Sequence, residues 1–190
     1  MCIGLQANKE LIGQLMVLIA NRCKPLYHTK LLKLLYIIDE ESTLRTGTPI
    51  TWLTYNAWQY GPVAEDVYHS KGTGHNKFSK FVKFNHAGEN KYIVKPVVEF
   101  SDAEFTDTDL TIIHEVLEKY RHLSTKELVG ITHANGSLWD RTVKRANINF
   151  SESNRTSDVS LDFSELIEKD GFKKTVYYTT MENIELQATL

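Results

Sequence analysis

The chain has 190 residues, of which 42% are hydrophobic and 24% are charged, and its formal net charge is −2. At about 150 residues per domain, this length predicts one domain with an appended segment. The composition is ordinary for a globular protein. It excludes collagen, a fully disordered chain, a disulfide scaffold and a strongly basic nucleic-acid binder.

The sequence shows neither a membrane span nor an export signal. No apolar run approaches the roughly 18 residues that a span needs. The apolar run at 15–20 is followed at once by the charged Arg22 and Lys24, unlike the core of a signal peptide. Cys2 and Cys23 are too far apart to form a zinc or redox pair, so we expect two reduced thiols. These features predict a cytoplasmic protein.

The balance of charge changes at Ser151. Residues 1–150 carry 18 basic and 16 acidic side chains, whereas residues 151–190 carry four basic and eight acidic ones. The stretch 151–158 is polar and typical of a loop. We therefore expect a main domain at 1–150 and an acidic C-terminal extension at 151–190.

Two helices are predicted in the first 50 residues. Leucines and isoleucines at helical spacing predict the first over 8–21 and the second from an N-cap at Thr29 to a stop at Gly47. Lys30 and Lys33 are expected on the polar remainder of the second helix. Its apolar face is formed by Leu31, Leu34, Leu35 and Ile38.

The segment 49–60 is rich in aromatic and β-branched residues, and propensity alone does not decide its secondary structure. A Gly-Pro pair at 61–62 interrupts the chain. Because proline is favoured in the first turn of a helix, a helix is predicted over 62–70. Two β-rich arms at 80–84 and 91–100 flank a turn and predict a hairpin.

The second half of the chain is predicted to be mainly helical. Thr-x-x-Asp at 106–109 and Ser-x-x-Glu at 124–127 have the spacing of capping boxes that start helices. A short helix is predicted over 138–146, a further helix over 161–169, and a strand over 173–180. The sequence thus predicts an α+β, mainly α-helical fold: a compact multi-helix domain with a small antiparallel β-hairpin.

No pattern for catalysis or metal binding stands out. Gly-x-Ser-x-Gly is absent, nothing near Cys23 in sequence would lower its pKa, and the glycines at 72–74 lack the remainder of a phosphate loop. His69, His75 and His86 lack the short, fixed spacing of zinc ligands. We therefore expect no catalytic residue, no metal site and no cofactor.

Two further side chains each have two interpretations. Asp39 belongs to an acidic run on a helix, which is typically solvated, yet it follows an apolar stretch and could meet the tyrosines of the next segment. His133 is predicted near a helix end, where an imidazole commonly bonds a free carbonyl. With Asp140 or Asp39, His133 could instead serve a hydrolase.

Two clusters in the middle of the chain are typical of binding surfaces or of packing. Six lysines interleaved with aromatic residues suit contact with a nucleic acid or an acidic protein, or else one solvated face of the hairpin: Lys71, Lys77, Lys80, Lys83, Lys91 and Lys95. Large aromatic residues dominate both cores and binding hot spots. Five of them lie within 17 residues: Trp52, Tyr55, Trp58, Tyr60 and Tyr68.

The same region carries a combined pattern. It consists of Lys-Leu-Leu-Lys-Leu-Leu-Tyr at 30–36, Thr-Gly-Thr-Pro at 46–49, and a run at 57–63 that leads to Val67-Tyr68. This pattern closely resembles the Panacea domain, the family of SocA-like and phage-associated GepA-like proteins. Residues 110–120, 123–133 and 137–140 are similar to the family's downstream elements, with Leu138 where the family usually has proline. The resemblance covers about residues 8–146.

The resemblance implies an antitoxin, the neutralising half of a two-gene toxin–antitoxin pair often found on phages or prophages, and not an enzyme. It implies a cognate protein toxin as partner, in a hetero-oligomer or with the antitoxin as a homodimer. The near-neutral charge and the lack of an apolar span lead us to expect no nucleic-acid and no membrane partner. We expect neutralisation by direct protein–protein binding. The alternatives are a DNA-binding autoregulator of its own operon and a protease adaptor that delivers the toxin for degradation.

Tight binding of a toxin needs a well-packed aromatic centre. The candidate toxin-binding residues are therefore the aromatic cluster and the turn that presents it: Trp52, Tyr55, Trp58, Tyr60, Gly61, Pro62 and Tyr68. Asp39, His133 and Trp139 are candidate supporting residues. In the other interpretation, the pattern preserves the core, and the loop 71–91 and the acidic tail contact the toxin.

Overall fold

A computed structural model describes residues 8–72, 74 and 76–189. Within these ranges the chain forms seven α-helices and two small antiparallel sheets. The prediction of an α+β, mainly helical fold is therefore confirmed. The expectations for Cys2 and His75 lie outside the described residues.

The first two helices form the centre of the core. Helix α1 (Lys9–Arg22) is buried from Leu11 to Ala20, and the two-residue strand β1 (Leu26–Tyr27) connects it to helix α2 (His28–Thr46). Because α2 packs against elements on several sides, it buries polar as well as apolar positions.

The structure corrects two predictions about α2. The helix begins at His28, with Tyr27 at the N-cap position and no side-chain cap, so Thr29 is not the N-cap. Lys30 and Lys33 do not lie on a solvated face, because only 9% and 1% of their surfaces are exposed. Each lysine can be buried because its ammonium donates to a backbone carbonyl, of Arg121 and Pro62 respectively.

A two-stranded hairpin follows α2. Strand β2 (Tyr55–Trp58) pairs with β3 (Gly61–Ala64), and the short helix α3 (Glu65–His69) comes next. The prediction of a helix over 62–70 is therefore wrong for residues 62–64. These residues are buried, and they pair with β2 instead of starting a helix.

The second sheet contains the hairpin that the sequence predicts. Strands β4 (Val82–His86) and β5 (Tyr92–Pro96) pair antiparallel, and β1 pairs with β5, which gives the order β1-β5-β4. Helix α1 packs against β4 and β5.

Three helices follow the second sheet. They are α4 (Asp107–Tyr120), α5 (Thr125–Thr132) and α6 (Leu138–Arg145). Both predicted capping boxes are present, with Thr106 and Asp109 at the start of α4 and Ser124 and Glu127 at the start of α5. Helices α4 and α5 both pack against α2.

The chain then returns to the first hairpin. Residues 155–161 run beside β2, where Val159 O and Arg155 O accept hydrogen bonds of 2.9 Å from the backbone N–H groups of Ala57 and Gln59. This segment covers the outer edge of β2. The domain boundary near Ser151 stays a prediction.

The C-terminal segment ends in helices. A 3₁₀-helix (Phe163–Ile167) occupies part of the stretch predicted to be helical, and α7 spans Gly171–Thr189. The predicted strand over 173–180 is therefore wrong. Asp170 Oδ1 accepts a hydrogen bond from Lys173 N near the start of α7, and the ring of Tyr177 packs 5.0 Å from that of Trp52. Tertiary packing thus overrides the β propensity of this sequence.

Candidate protein-interaction site

The β2–β3 hairpin turns through Gln59 and Tyr60, which we call the hairpin tip. Tyr60 lies two residues after the last residue of β2, and 57% of its surface is exposed. Gly61 follows with a φ of 96°, in the left-handed region that favours glycine. A Cβ atom there would lie 2.8 Å from Thr132 Oγ1, 2.9 Å from Lys33 Nζ and 3.0 Å from His133 Cε1. Glycine therefore lets the hairpin approach α2 and the end of α5.

Side chains from three other elements bind backbone carbonyls around the hairpin tip. Trp139 Nε1 of α6 donates to Trp58 O at 3.0 Å, and Lys33 Nζ of α2 donates to Pro62 O at 2.8 Å. His133 Nε2 lies 3.0 Å from Gln59 O and donates to it when that nitrogen carries the proton. These bonds tie carbonyls in and beside the turn to the rest of the fold and hold the tip in one position.

His133 and Trp139 also support each other. Their ring centroids are 3.9 Å apart, and His133 Nδ1 lies 2.7 Å from Val129 O, one turn back along α5. These contacts fit the interpretation of His133 as a side chain that bonds free carbonyls. His133, Trp139 and Lys33 are therefore positioning residues for the hairpin.

Asp39 holds the base of the hairpin. It is fully buried, and its carboxylate accepts hydrogen bonds from Thr51 N at 2.8 Å, from the Thr51 hydroxyl and from the Tyr55 hydroxyl at 2.7 Å. Of the two interpretations of Asp39, contact with a tyrosine of the next segment is therefore correct and a solvated helix face is wrong. Burial raises the pKa of Asp39 to about 6, although the hydrogen bonds from Thr51 and Tyr55 oppose that rise. Helix α2 therefore holds the hairpin at both ends. Asp39 binds Thr51 and Tyr55 at the base, and Lys33 binds Pro62 O near the tip.

The predicted aromatic cluster separates into a core part and a surface part. Trp52 and Tyr55 are buried. The ring centroid of Tyr55 lies 5.4 Å from that of Tyr36 and 5.6 Å from that of Phe163. Side chains in such positions offer little surface to a partner. Gly61 and Pro62 are also buried and shape the turn.

The surface part consists of Trp58, Tyr60 and Tyr68. Trp58 and Tyr68 are half-buried, and their rings meet edge to face at 4.7 Å. With Tyr60 they line a cavity of about 310 Å³, which we call the tip cavity. Its other lining residues are Thr29, Leu32, Lys33, Val63, Lys71, Asn90, Arg155 and Thr156.

Sequence reasoning missed the contribution of Lys33 and Arg155 to this site. Arg155 comes from the segment beside β2, far from the hairpin in sequence. Lys33 gave one signal that could have found it, because it interrupts the apolar run of residues 31–38. A lysine in such a run is either buried with a partner or marks a functional position.

The described residues show little that resembles an active site. Burial raises the pKa of the Cys23 thiol, which disfavours the reactive thiolate. In residues 8–72, 74 and 76–189, no three His, Cys, Asp or Glu side chains form a group that could hold a metal ion. None of the helices in these ranges is long and apolar enough to cross a membrane.

Comparison with known proteins places the sequence of this chain in a class of antitoxin-like domains. The family model described as "Antitoxin SocA-like, Panacea domain" matches residues 31–140, which is more than half of the chain. The chain therefore belongs to the SocA-like Panacea family. No curated protein and no solved structure gave a significant match.

Family membership supports a general role as the antitoxin of a toxin–antitoxin system, with a toxin as partner. It also suggests a regulatory rather than a catalytic role. The matched range contains most of α2, the first hairpin, Lys71, His133 and Trp139. It ends before Arg155 and the segment that covers β2.

Proposed function

We propose that this protein neutralises a protein toxin by binding it directly through the surface around Tyr60. The observation that carries the proposal is the hairpin tip, which keeps an exposed tyrosine on a backbone bound by three separate elements. A side chain on such a support loses little conformational entropy on binding. Tyrosine and tryptophan are also enriched in binding hot spots.

The proposal narrows the candidate binding residues to those that reach the surface. Tyr60, Trp58 and Tyr68 contact the toxin, Gly61 and Pro62 set the turn, and His133, Trp139 and Lys33 hold it. Trp52, Tyr55 and Asp39 act from the core by fixing the base of the hairpin. The expected complex is a hetero-oligomer of toxin and antitoxin.

Growth rescue and affinity measurements test this proposal. The toxin is the product of the gene adjacent to that of this chain, expressed alone or with each antitoxin variant. We expect Tyr60→Ala to weaken binding by about 30-fold, the size of a typical hot spot of 2 kcal/mol, and to reduce rescue. Trp58→Ala should also weaken binding.

A matched control is Phe172→Ala on α7, because Phe172 is an aromatic residue with 78% of its surface exposed, outside the hairpin and the tip cavity. This variant should bind and rescue like the wild type. If Tyr60→Ala and Trp58→Ala both fold and still neutralise at the wild-type level, the proposed surface is wrong.

A further inference from the structure

The tip cavity is lined by three cationic side chains from different parts of the fold. Lys33 comes from α2, Lys71 follows α3, and Arg155 comes from the segment beside β2. Lys33 is buried and Arg155 is exposed, so positive charge extends from the interior to the rim. Among the described residues, none of the three forms an ion pair, and no residue that lines the cavity is acidic.

A neighbouring cavity is also lined by cationic side chains. It has a volume of about 390 Å³ and shares Thr29, Lys71 and Asn90 with the tip cavity. Lys91 and the first residues of α2 also line it. This 19-residue helix has no side-chain cap and no acidic residue in its first turn, so the positive end of its dipole is not neutralised locally.

Donors and aromatic walls complete the tip cavity. The ammonium of Lys33 has three N–H donors, and the hydrogen bond to Pro62 O uses one of them. The indole N–H of Trp58 is buried and has no hydrogen-bond acceptor among the described residues. Lys71 Nζ lies 3.7 Å above the ring of Tyr68, which holds this charge beside an apolar wall. The cavity thus combines hydrogen-bond donors with apolar surface for a short aliphatic stem.

We propose that the tip cavity binds the carboxylate of an aspartate or glutamate side chain of the protein partner. This inference rests on the proposed function, since it gives the toxin an acidic residue that lies beside Tyr60 in the complex. The carboxylate accepts a hydrogen bond from Lys33 and pairs with Lys71 and Arg155, while its methylene stem packs against the apolar wall that Trp58 and Tyr68 form. Charge-assisted hydrogen bonds of this kind are among the strong ones.

The burial of Lys33 supports this occupant. Burial lowers the pKa of Lys33 to about 7, because the charged ammonium is poorly solvated there. A carboxylate next to the ammonium would favour the charged form and offset the loss of solvation.

A blocked pentapeptide with one central glutamate and four glycines tests the proposal without the toxin, and the peptide with glutamine in its place is the neutral control. Binding is followed by NMR titration, with the indole signal of Trp58 as the reporter. We expect the glutamate peptide to shift this signal and to bind at least about tenfold more tightly than the glutamine peptide. Because the interaction is electrostatic, raising the salt concentration should weaken it.

Variants of the cationic residues assign the binding to the cavity. Lys33→Met should weaken binding of the glutamate peptide by about tenfold or more. Lys71→Gln should also weaken it, and this side chain makes no hydrogen bond to the hairpin backbone among the described residues. The matched control is Lys30→Met, which removes another buried lysine of α2 that donates to a carbonyl but does not line the cavity.

Three results would overturn the inference. The first is equal binding of the glutamate and glutamine peptides. The second is full binding of the glutamate peptide by folded Lys33→Met and Lys71→Gln. The third is a clear preference of the same residues for inorganic phosphate or for a short oligonucleotide, which would assign the cavity to a phosphate group.

The peptide experiment and the toxin experiment test the two proposals separately. If the toxin is neutralised but the glutamate peptide does not bind, the cavity inference is wrong and the proposed function stands. If the glutamate peptide binds in the cavity but Tyr60→Ala and Trp58→Ala leave neutralisation intact, the proposed toxin surface is wrong instead.

Discussion

The hairpins β2–β3 and β4–β5 are both short and antiparallel, but their tips are supported differently. Around the β2–β3 tip, side chains of α2 and α6 and the side chain of His133, which follows α5, contact three backbone carbonyls. At the β4–β5 tip, the described hydrogen bonds stay within the turn, from Ala87 N to Lys91 O and from Lys91 N to Gly88 O. The first tip is therefore preorganised by the whole fold, whereas the second depends on its own ladder and turn. A binding residue gains most from the first arrangement, because the position of its backbone is fixed before the partner arrives.

Glycine-to-alanine substitutions should separate the two tips most strongly. Gly61 and Gly88 both have positive φ, 96° and 117°, so alanine is strained at either position. At Gly88 a Cβ would meet nothing within 4 Å, whereas at Gly61 it would press on Thr132, Lys33 and His133. We expect Gly88→Ala to lower the free energy of unfolding by about 1 kcal/mol and Gly61→Ala by about 4 kcal/mol.

Urea denaturation of both variants measures this difference. Equal losses for the two substitutions would mean that the close approach of Gly61 to α2 and α5 adds no stability. In that case the contrast between the tips would reduce to backbone conformation alone.

The pH dependence of the free energy of unfolding should show how much stability is lost by burying Lys33 at the first tip. The pKa of Lys33 falls from its ordinary value of 10.5 in the unfolded chain to about 7 in the folded protein. The stability that comes from keeping Lys33 neutral is therefore fully present above pH 10.5 and is lost as the pH falls through about 7, where the buried amine becomes charged. Between pH 7.5 and 9.5 the unfolded chain binds more protons at this site, so Lys33 alone makes stability rise by about 2 kcal/mol.

Lys33→Met removes this titration. The difference in unfolding free energy between wild type and variant should change by about 2 kcal/mol over that interval, in favour of the wild type as the pH rises. Chemical denaturation at several pH values measures it. A constant difference across the interval would show that the ammonium of Lys33 is not desolvated as its burial indicates.

The contrast between the hairpins also shows which features the sequence reveals. The β4–β5 hairpin and the capping boxes at Thr106 and Ser124 were predictable, because their signals are local spacings of a few residues. The contact between Asp39 and Tyr55 was also within reach, because one turn connects the two segments.

The features that tertiary packing decides were not predictable. The Gly-Pro pair at 61–62 indicated a helix start, but the chain forms β3 there. The positive φ of Gly61 and the pairing of β3 depend on contacts with α2 and α5, which the local sequence does not show. The β propensity of 173–180 gave way to a helix that packs Tyr177 on Trp52. Likewise, the tip cavity joins Lys33 and Arg155 only in the folded chain.

Removal of one hydrogen bond at the first tip should give the smallest of these effects. Trp139→Phe keeps an aromatic ring next to His133 but deletes the donor to Trp58 O. We expect a loss of about 1 to 2 kcal/mol, from the loss of one hydrogen bond to Trp58 O together with the reduced ring area. The counterpart at the second hairpin is Tyr92→Phe, which keeps the ring that packs on His86 and should change stability by less than about 0.5 kcal/mol. Hydrogen exchange at the amides of Gln59 and Tyr60 then reports on the tip itself. Faster exchange in Trp139→Phe and unchanged exchange in Tyr92→Phe are expected, whereas unchanged exchange in both would show that the bond from α6 does not hold the tip.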